Sequence, residues 1–155
     1  MIPLRMTTSP LILDDFLPFR LSFTSNLVSN SIARTYAALF GLTIAEWRLI
    51  AVIGESDGIT QAVIGSRTRM DKVTVSRATI ALVERGLLSR AYNPGDGRSQ
   101  LLQLTVTGRD LYAQVAPKAL ELERRIFAQL EAAEIDRFVT TLRRIDAIVL
   151  EMEGD

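Results

Sequence analysis

The chain has 155 residues, 48% apolar and 23% charged, a composition suited to one globular domain, and its 18 basic residues balance 18 acidic ones. It contains no cysteine and no histidine, which excludes disulfides, thiolate chemistry, the usual zinc sites and any nucleophile–histidine pair. No apolar run reaches the roughly 18 residues of a membrane span, and MIPLRMTTSPLILDD lacks the apolar core of a signal peptide, so the expected setting is the cytoplasm, away from membranes, with no metal or cofactor.

Residues 1–10, with Pro3 and Pro10, are expected to form a loose arm, and Met6 is an alternative start. From Leu13 to Phe40 apolar residues recur every three to five positions, which predicts one long helix with Pro18 in its first turn and Gly41 past its end. Thr43 and Glu46 have capping-box spacing for a second helix, whose packed face is expected at Trp47, Ile50, Ala51 and Gly54. Asp57-Gly58 signals a turn, and a short third helix follows over about Gln61 to Thr68.

Asp71 is placed to cap a fourth helix. At 100° per residue, Val75, Ala78, Thr79 and Leu82 fall on one face and should pack inward. Val73, Arg77, Ile80 and Ala81 face the other way, with Thr74 and Ser76 on the flanks. An outward face with an Arg, hydroxyls and small apolar groups suits base edges and thymine methyls better than water. Gly86 stops this helix. Leu87–Tyr92 and Gln100–Thr105 read as strands joined by NPGDGR, which is turn chemistry throughout. The remainder is helical: Leu111, Val115, Ala119, Leu122, Ile126 and Leu130 share a face, with a bend expected at Pro117. After a break near Glu131–Glu134, a last helix carries Ile135, Phe138, Leu142, Ile145, Val149 and Met152.

Zero net charge conceals an uneven distribution. Between Thr60 and Ser99, seven bases stand against three acids, a local charge of +4; from Glu121 to Asp155, five bases stand against nine acids, a charge of −4. A basic middle segment fits one nucleic-acid face on an otherwise ordinary protein.

DKVTVSRATIALVERGLL (71–88), DGRSQLLQLTVTGRDL (96–111) and the order long helix, helix-turn-helix, hairpin, two long helices together resemble the MarR (multiple antibiotic resistance regulator) family. One departure is Gly97, which replaces a basic residue often found between the wing Asp and Arg. The resemblance implies a mainly α fold of about six helices with a β-hairpin wing, the winged helix-turn-helix. It implies dimerisation helices over 11–41 and 108–155 around a DNA-binding lobe at 42–107. It further implies a homodimer that binds pseudo-palindromic double-stranded DNA, usually represses, and is often released by a small aromatic or phenolic effector.

Within that frame Lys72, Val73, Thr74, Ser76, Arg77 and Ile80 are the candidate recognition-helix contacts, Arg being the commonest bidentate reader of guanine. At the wing, Arg98 is placed to enter the minor groove, with Asp96 holding its guanidinium and Ser99 beside it. Thr60, Gln61, Arg67 and Arg69 are candidate phosphate contacts. Tyr36, Trp47 and Tyr112 could line an effector pocket with Arg48 as a carboxylate partner, although aromatics at helical spacing more often belong to a core. Two other classes compete. An enzyme would need a nucleophile–base pair, phosphate loop or cofactor fingerprint that the sequence does not offer. A helical protein-interaction module without DNA binding would not need the +4 segment.

Overall fold

The computed structural model describes residues 10–154; nearly all of the expected arm, and the Met6 start, lie outside them. The chain opens with a 3₁₀ turn, Leu13–Asp15, and continues as α1 (Leu17–Phe40), α2 (Ile44–Gly54), α3 (Gln61–Thr68) and α4 (Lys72–Glu84). The hairpin strands β1 (Leu88–Tyr92) and β2 (Gln100–Leu104) follow, then α5 (Val106–Phe127) and α6 (Ala132–Gly154). This is the winged helix-turn-helix order.

The single first helix expected from Leu13 is corrected. Phe16 is extended, with φ −78° and ψ 113°, and separates the 3₁₀ turn from α1. Pro18 explains the break: lacking an N–H, it cannot bond back to the Asp14 carbonyl as one helix from Leu13 would require, and it suits the first turn of a new helix. Gly41, at φ 62°, ends α1.

The second helix begins with the expected capping box: the Glu46 amide donates to Thr43 Oγ1 at 3.1 Å and the Thr43 amide to Glu46 Oε1 at 2.9 Å. Its inner face meets expectation only at Ile50. Leu49, Ile50 and Ile53 are buried, while Trp47 and Ala51 are half-buried and Gly54 is exposed. With Leu42, Ile64, Val75, Leu82 and Leu102 they form the core of the helix-turn-helix, each such side chain contributing about 1.5–3 kcal/mol of burial.

Two compact units are defined by contacts, one ending at Tyr112 and one beginning at Ala113. In the first, β1 and β2 pair antiparallel in the register Leu88↔Leu104 to Tyr92↔Gln100. Ile59 adds a bridge that the sequence did not announce: its amide and carbonyl both bond to Leu102, at 3.2 and 2.8 Å, tying the turn before α3 to the hairpin. Thr105 then locks the entry to α5. Its hydroxyl bonds to the Gly86 carbonyl and accepts from the Gly108 amide at 3.0 Å. The second unit contains the rest of α5, which runs unbroken through Pro117, and α6.

Candidate nucleic-acid interface

The fourth helix has two faces of opposite chemistry. Val75, Ala78, Thr79 and Leu82 are buried, the set that periodicity predicted. Lys72, Val73, Arg77 and Ile80 are exposed, and the large apolar pair Val73 and Ile80 is 57% and 47% open. Ala81, placed on this outward face by periodicity, is only half-buried, as is Ser76. Neither Lys72 nor Arg77 has a hydrogen-bond or ion-pair partner among the described residues.

The helix N-terminus is closed by Asp71, whose carboxylate accepts from the Thr74 amide at 2.8 Å and the Thr74 hydroxyl at 2.9 Å. The Thr74 amide is the larger influence, and together the two hold the Asp71 carboxyl below its ordinary range. This amends the expectation for Thr74. Its hydroxyl proton is already committed, so the side chain could meet DNA as an acceptor or through its methyl group.

The wing tip is a loop bonded to itself. Asn93 Oδ1 accepts from the Gly95 amide at 3.0 Å, and Asn93 Nδ2 donates to Ser99 Oγ at 3.0 Å. The Ser99 amide and hydroxyl both donate to the Asp96 carbonyl, at 3.1 and 3.3 Å. Two expectations are corrected here. Asp96 Oδ1 accepts the backbone amide of Arg98 at 3.0 Å and does not hold its guanidinium, because an Asx turn reaches the amide two residues on. Ser99 staples the loop, and its hydroxyl is occupied on both sides. The Arg98 side chain projects from this frame exposed, with no partner among the described residues.

Thr60 caps α3 by accepting the Val63 amide at 3.3 Å. Thr60, Gln61, Arg98, Ser99 and Gln100 border a crevice of about 310 Å³ between this helix start and the wing, so α3 and the wing tip face a common space. Arg67 is not an open phosphate contact, since its guanidinium pairs with Glu55 at the end of α2. Arg69 ends α3 in the left-handed region at φ 60°, where glycine is the usual occupant. Arg85, counted in the basic segment, is also committed: it donates to the Phe40 and Gly41 carbonyls.

The aromatic residues meet, but as packing. Tyr36 and Trp47 have ring centroids 5.5 Å apart, and Trp47 stacks on Tyr112 at 6.0 Å. Tyr36 is buried, and burial pushes its hydroxyl pKa up. Its expected place on a pocket wall is therefore corrected to the core. Arg48 is exposed on α2 and bonds to none of the described residues. Tyr112 also borders a crevice of about 400 Å³ with Asp57, Gln103 and Arg109.

A helix buried on one side and cationic on the other, beside a hairpin with an unpaired Arg at its tip, defines the winged helix-turn-helix class of DNA-binding proteins. The MarR family model matches residues 40–99, from the end of α1 to the wing tip. Transcriptional regulator HosA of Escherichia coli O111:H- is 24% identical over 119 residues, 77% of this chain and 88% of that protein. Among solved structures, BpsR of Bordetella bronchiseptica, whose DNA binding is regulated by 6-hydroxynicotinic acid, aligns with a TM-score of 0.81 at 23% identity, covering 89% of this chain and 98% of that one. A mutant MarR from E. coli complexed with operator DNA aligns with a TM-score of 0.76 at 22% identity, covering 88% and 99%. Over its helix-turn-helix and wing the chain is thus similar to the MarR family, and the curated relatives it matches are transcriptional regulators.

Proposed function

We propose that the protein is a homodimeric repressor of a pseudo-palindromic operator, released by a small aromatic or phenolic effector. The observation that carries the DNA part is the outward face of α4, where Lys72, Arg77, Val73 and Ile80 stand exposed above a fully packed inner face. Exposed apolar side chains on a folded surface mark a surface that something else covers, and next to two unpaired cations that partner is a major groove. Arg77 reads a base edge, Ser76 meets a base or phosphate, and Val73 and Ile80 meet thymine methyls. Lys72 holds a phosphate, as do Arg69 and the α3 start at Thr60 and Gln61, while Arg98 enters the minor groove.

Dimerisation is supported by surplus apolar surface. The sixth helix buries none of its described residues, although Phe138, Ile145, Ile148, Val149 and Met152 repeat at helical spacing. In α1, Leu17, Leu21, Phe23 and Leu27 are exposed too. The division of labour is then 11–41 and 108–155 for dimerisation and 42–107 for DNA. Two recognition helices would meet half-sites about one helical turn, or about 10 base pairs, apart. For the effector, support comes from the ring stack, with Tyr112 and Trp47 accessible at its edge, and from BpsR, whose regulator is an aromatic acid. Arg48 would pair with such a carboxylate.

Selection of duplexes from a random-sequence pool, followed by titration at several salt concentrations, tests this reading. It predicts an enriched inverted repeat with half-sites near one turn apart and binding that weakens steeply with salt. Failure to enrich any duplex would leave a helical interaction module in place of a regulator.

A further inference from the structure

Arg85 lies in the most basic part of the chain, yet its guanidinium is committed within the fold. Its Nη1 donates to the Gly41 carbonyl at 3.1 Å and its Nη2 to the Phe40 carbonyl at 3.2 Å, partners 44 and 45 residues away in sequence. These are the last carbonyls of α1, which ends in the left-handed Gly41. A helix leaves its final carbonyls without internal partners and carries partial negative charge there, so a cation with paired donors satisfies both needs. Arg85 is itself the C-cap of α4. Its rigid planar fork thus fastens the end of the recognition helix to the end of α1, with both bonds fixed in direction.

Resting on the dimeric DNA-binding reading, we infer that Arg85 is a positioning residue: it sets the attitude of α4 against α1, and through α1 the separation of the two recognition helices in the dimer. The clasp lies 13 residues beyond Lys72, so about 20 Å separates it from the end of α4 that would enter the groove. That lever is long. A tilt of about 10° at the clasp would carry the groove end about 3.5 Å, close to one base-pair step. Two bonds to fixed carbonyls resist such a tilt, and one flexible bond does not. The aromatic stack is near this clasp, since Tyr36 lies one helical turn before Phe40 on α1.

The test uses the full chain, a duplex enriched by the wild type, and copies of that duplex with the spacer between half-sites changed by one base pair either way. Wild type should lose about 10-fold or more on the altered spacers, since a misplaced half-site costs as much as a mismatched contact. Arg85→Lys keeps the charge but not the fork, and Arg85→Gln keeps one donor nitrogen without the charge; both should flatten that profile to about 3-fold or less, while the salt slope stays that of wild type. A spacing profile unchanged in both variants would overturn the inference. So would a uniform loss in Arg85→Gln that Arg85→Lys restores, together with a shallower salt slope, because that pattern marks a phosphate contact. If the wild type enriches no duplex, the regulator reading itself fails, a result distinct from either.

Discussion

Replacing Ile148 by Ala should weaken self-association by about two orders of magnitude. Ile148 lies on α6, a helix with no buried residue, and remains 56% exposed in the single chain. The substitution removes three carbons, worth about 0.8 kcal/mol each when fully buried, and a little over half of that burial is still available to a partner. This gives about 1.3 kcal/mol per protomer. In a two-fold dimer each change counts twice, so the total is about 2.6 kcal/mol, close to a 100-fold rise in the dimer dissociation constant. Alanine is the best helix former, so lost helicity cannot produce the effect. Sedimentation equilibrium from nanomolar to micromolar protein reads it directly, with far-ultraviolet circular dichroism as the check on fold. Unchanged association would show that this face of α6 is not the dimer contact, and a stable wild-type monomer would refute the surplus-surface argument altogether.

Other expectations follow from the same contacts. Arg98→Ala should lower affinity more on operators with A·T-rich flanks than with G·C-rich ones, because groove width sets what the Arg gains; anisotropy titrations at fixed salt decide this. Asp96→Ala should reproduce part of that loss by freeing the Arg98 backbone, with faster amide exchange at Arg98 and Ser99. Asp71 has a depressed pKa, so its contribution to stability is present above the unfolded value, about 3.9, and is lost as pH falls through the folded value. Asp71→Asn keeps a capping side chain without that titration; the stability difference between wild type and variant in denaturant titrations should therefore shrink below about pH 4. Gly108→Ala should be the most disruptive single methyl, since its Cβ would stand 2.1 Å from the Leu87 carbonyl oxygen. Backbone must move there, at a cost near the top of the usual range of about 1–3 kcal/mol for overpacking, readable as a lowered Tm.

Most of the scaffold was legible because it obeys short-range rules. The inward set of α4 follows from 100° per residue, the starts of α2 and α4 from oxygen-bearing caps at Thr43 and Asp71, and the hairpin from NPGDGR. What sequence could not supply is how polar side chains commit once distant elements meet. Arg67 and Arg85 look like any other cations of a basic segment, and only the fold brings Glu55 and the end of α1 within reach. Asp96 and Arg98 have ion-pair spacing, but the Asx turn spends the carboxylate on an amide. On the inner face of α2 only Ile50 is where periodicity puts it: Trp47 draws the expected stripe toward itself, whereas the helix turns Leu49 and Ile53 inward beside Ile50 and leaves the Trp at the edge of a ring stack. Arg69 carries a left-handed backbone without the glycine that would have announced it.

The central claim is that α4 reads sequence through Arg77 while Lys72 only holds phosphate. The most direct measurement is the affinity of Arg77→Ala and Lys72→Ala for the enriched duplex and for a scrambled duplex of the same length, at one salt concentration. The account predicts that Arg77→Ala loses about 1–3 kcal/mol, roughly 5- to 150-fold, on the enriched duplex and far less on the scrambled one. Lys72→Ala should weaken both alike. Equal losses on the two duplexes for Arg77→Ala would contradict the assignment of this face as the one that reads bases.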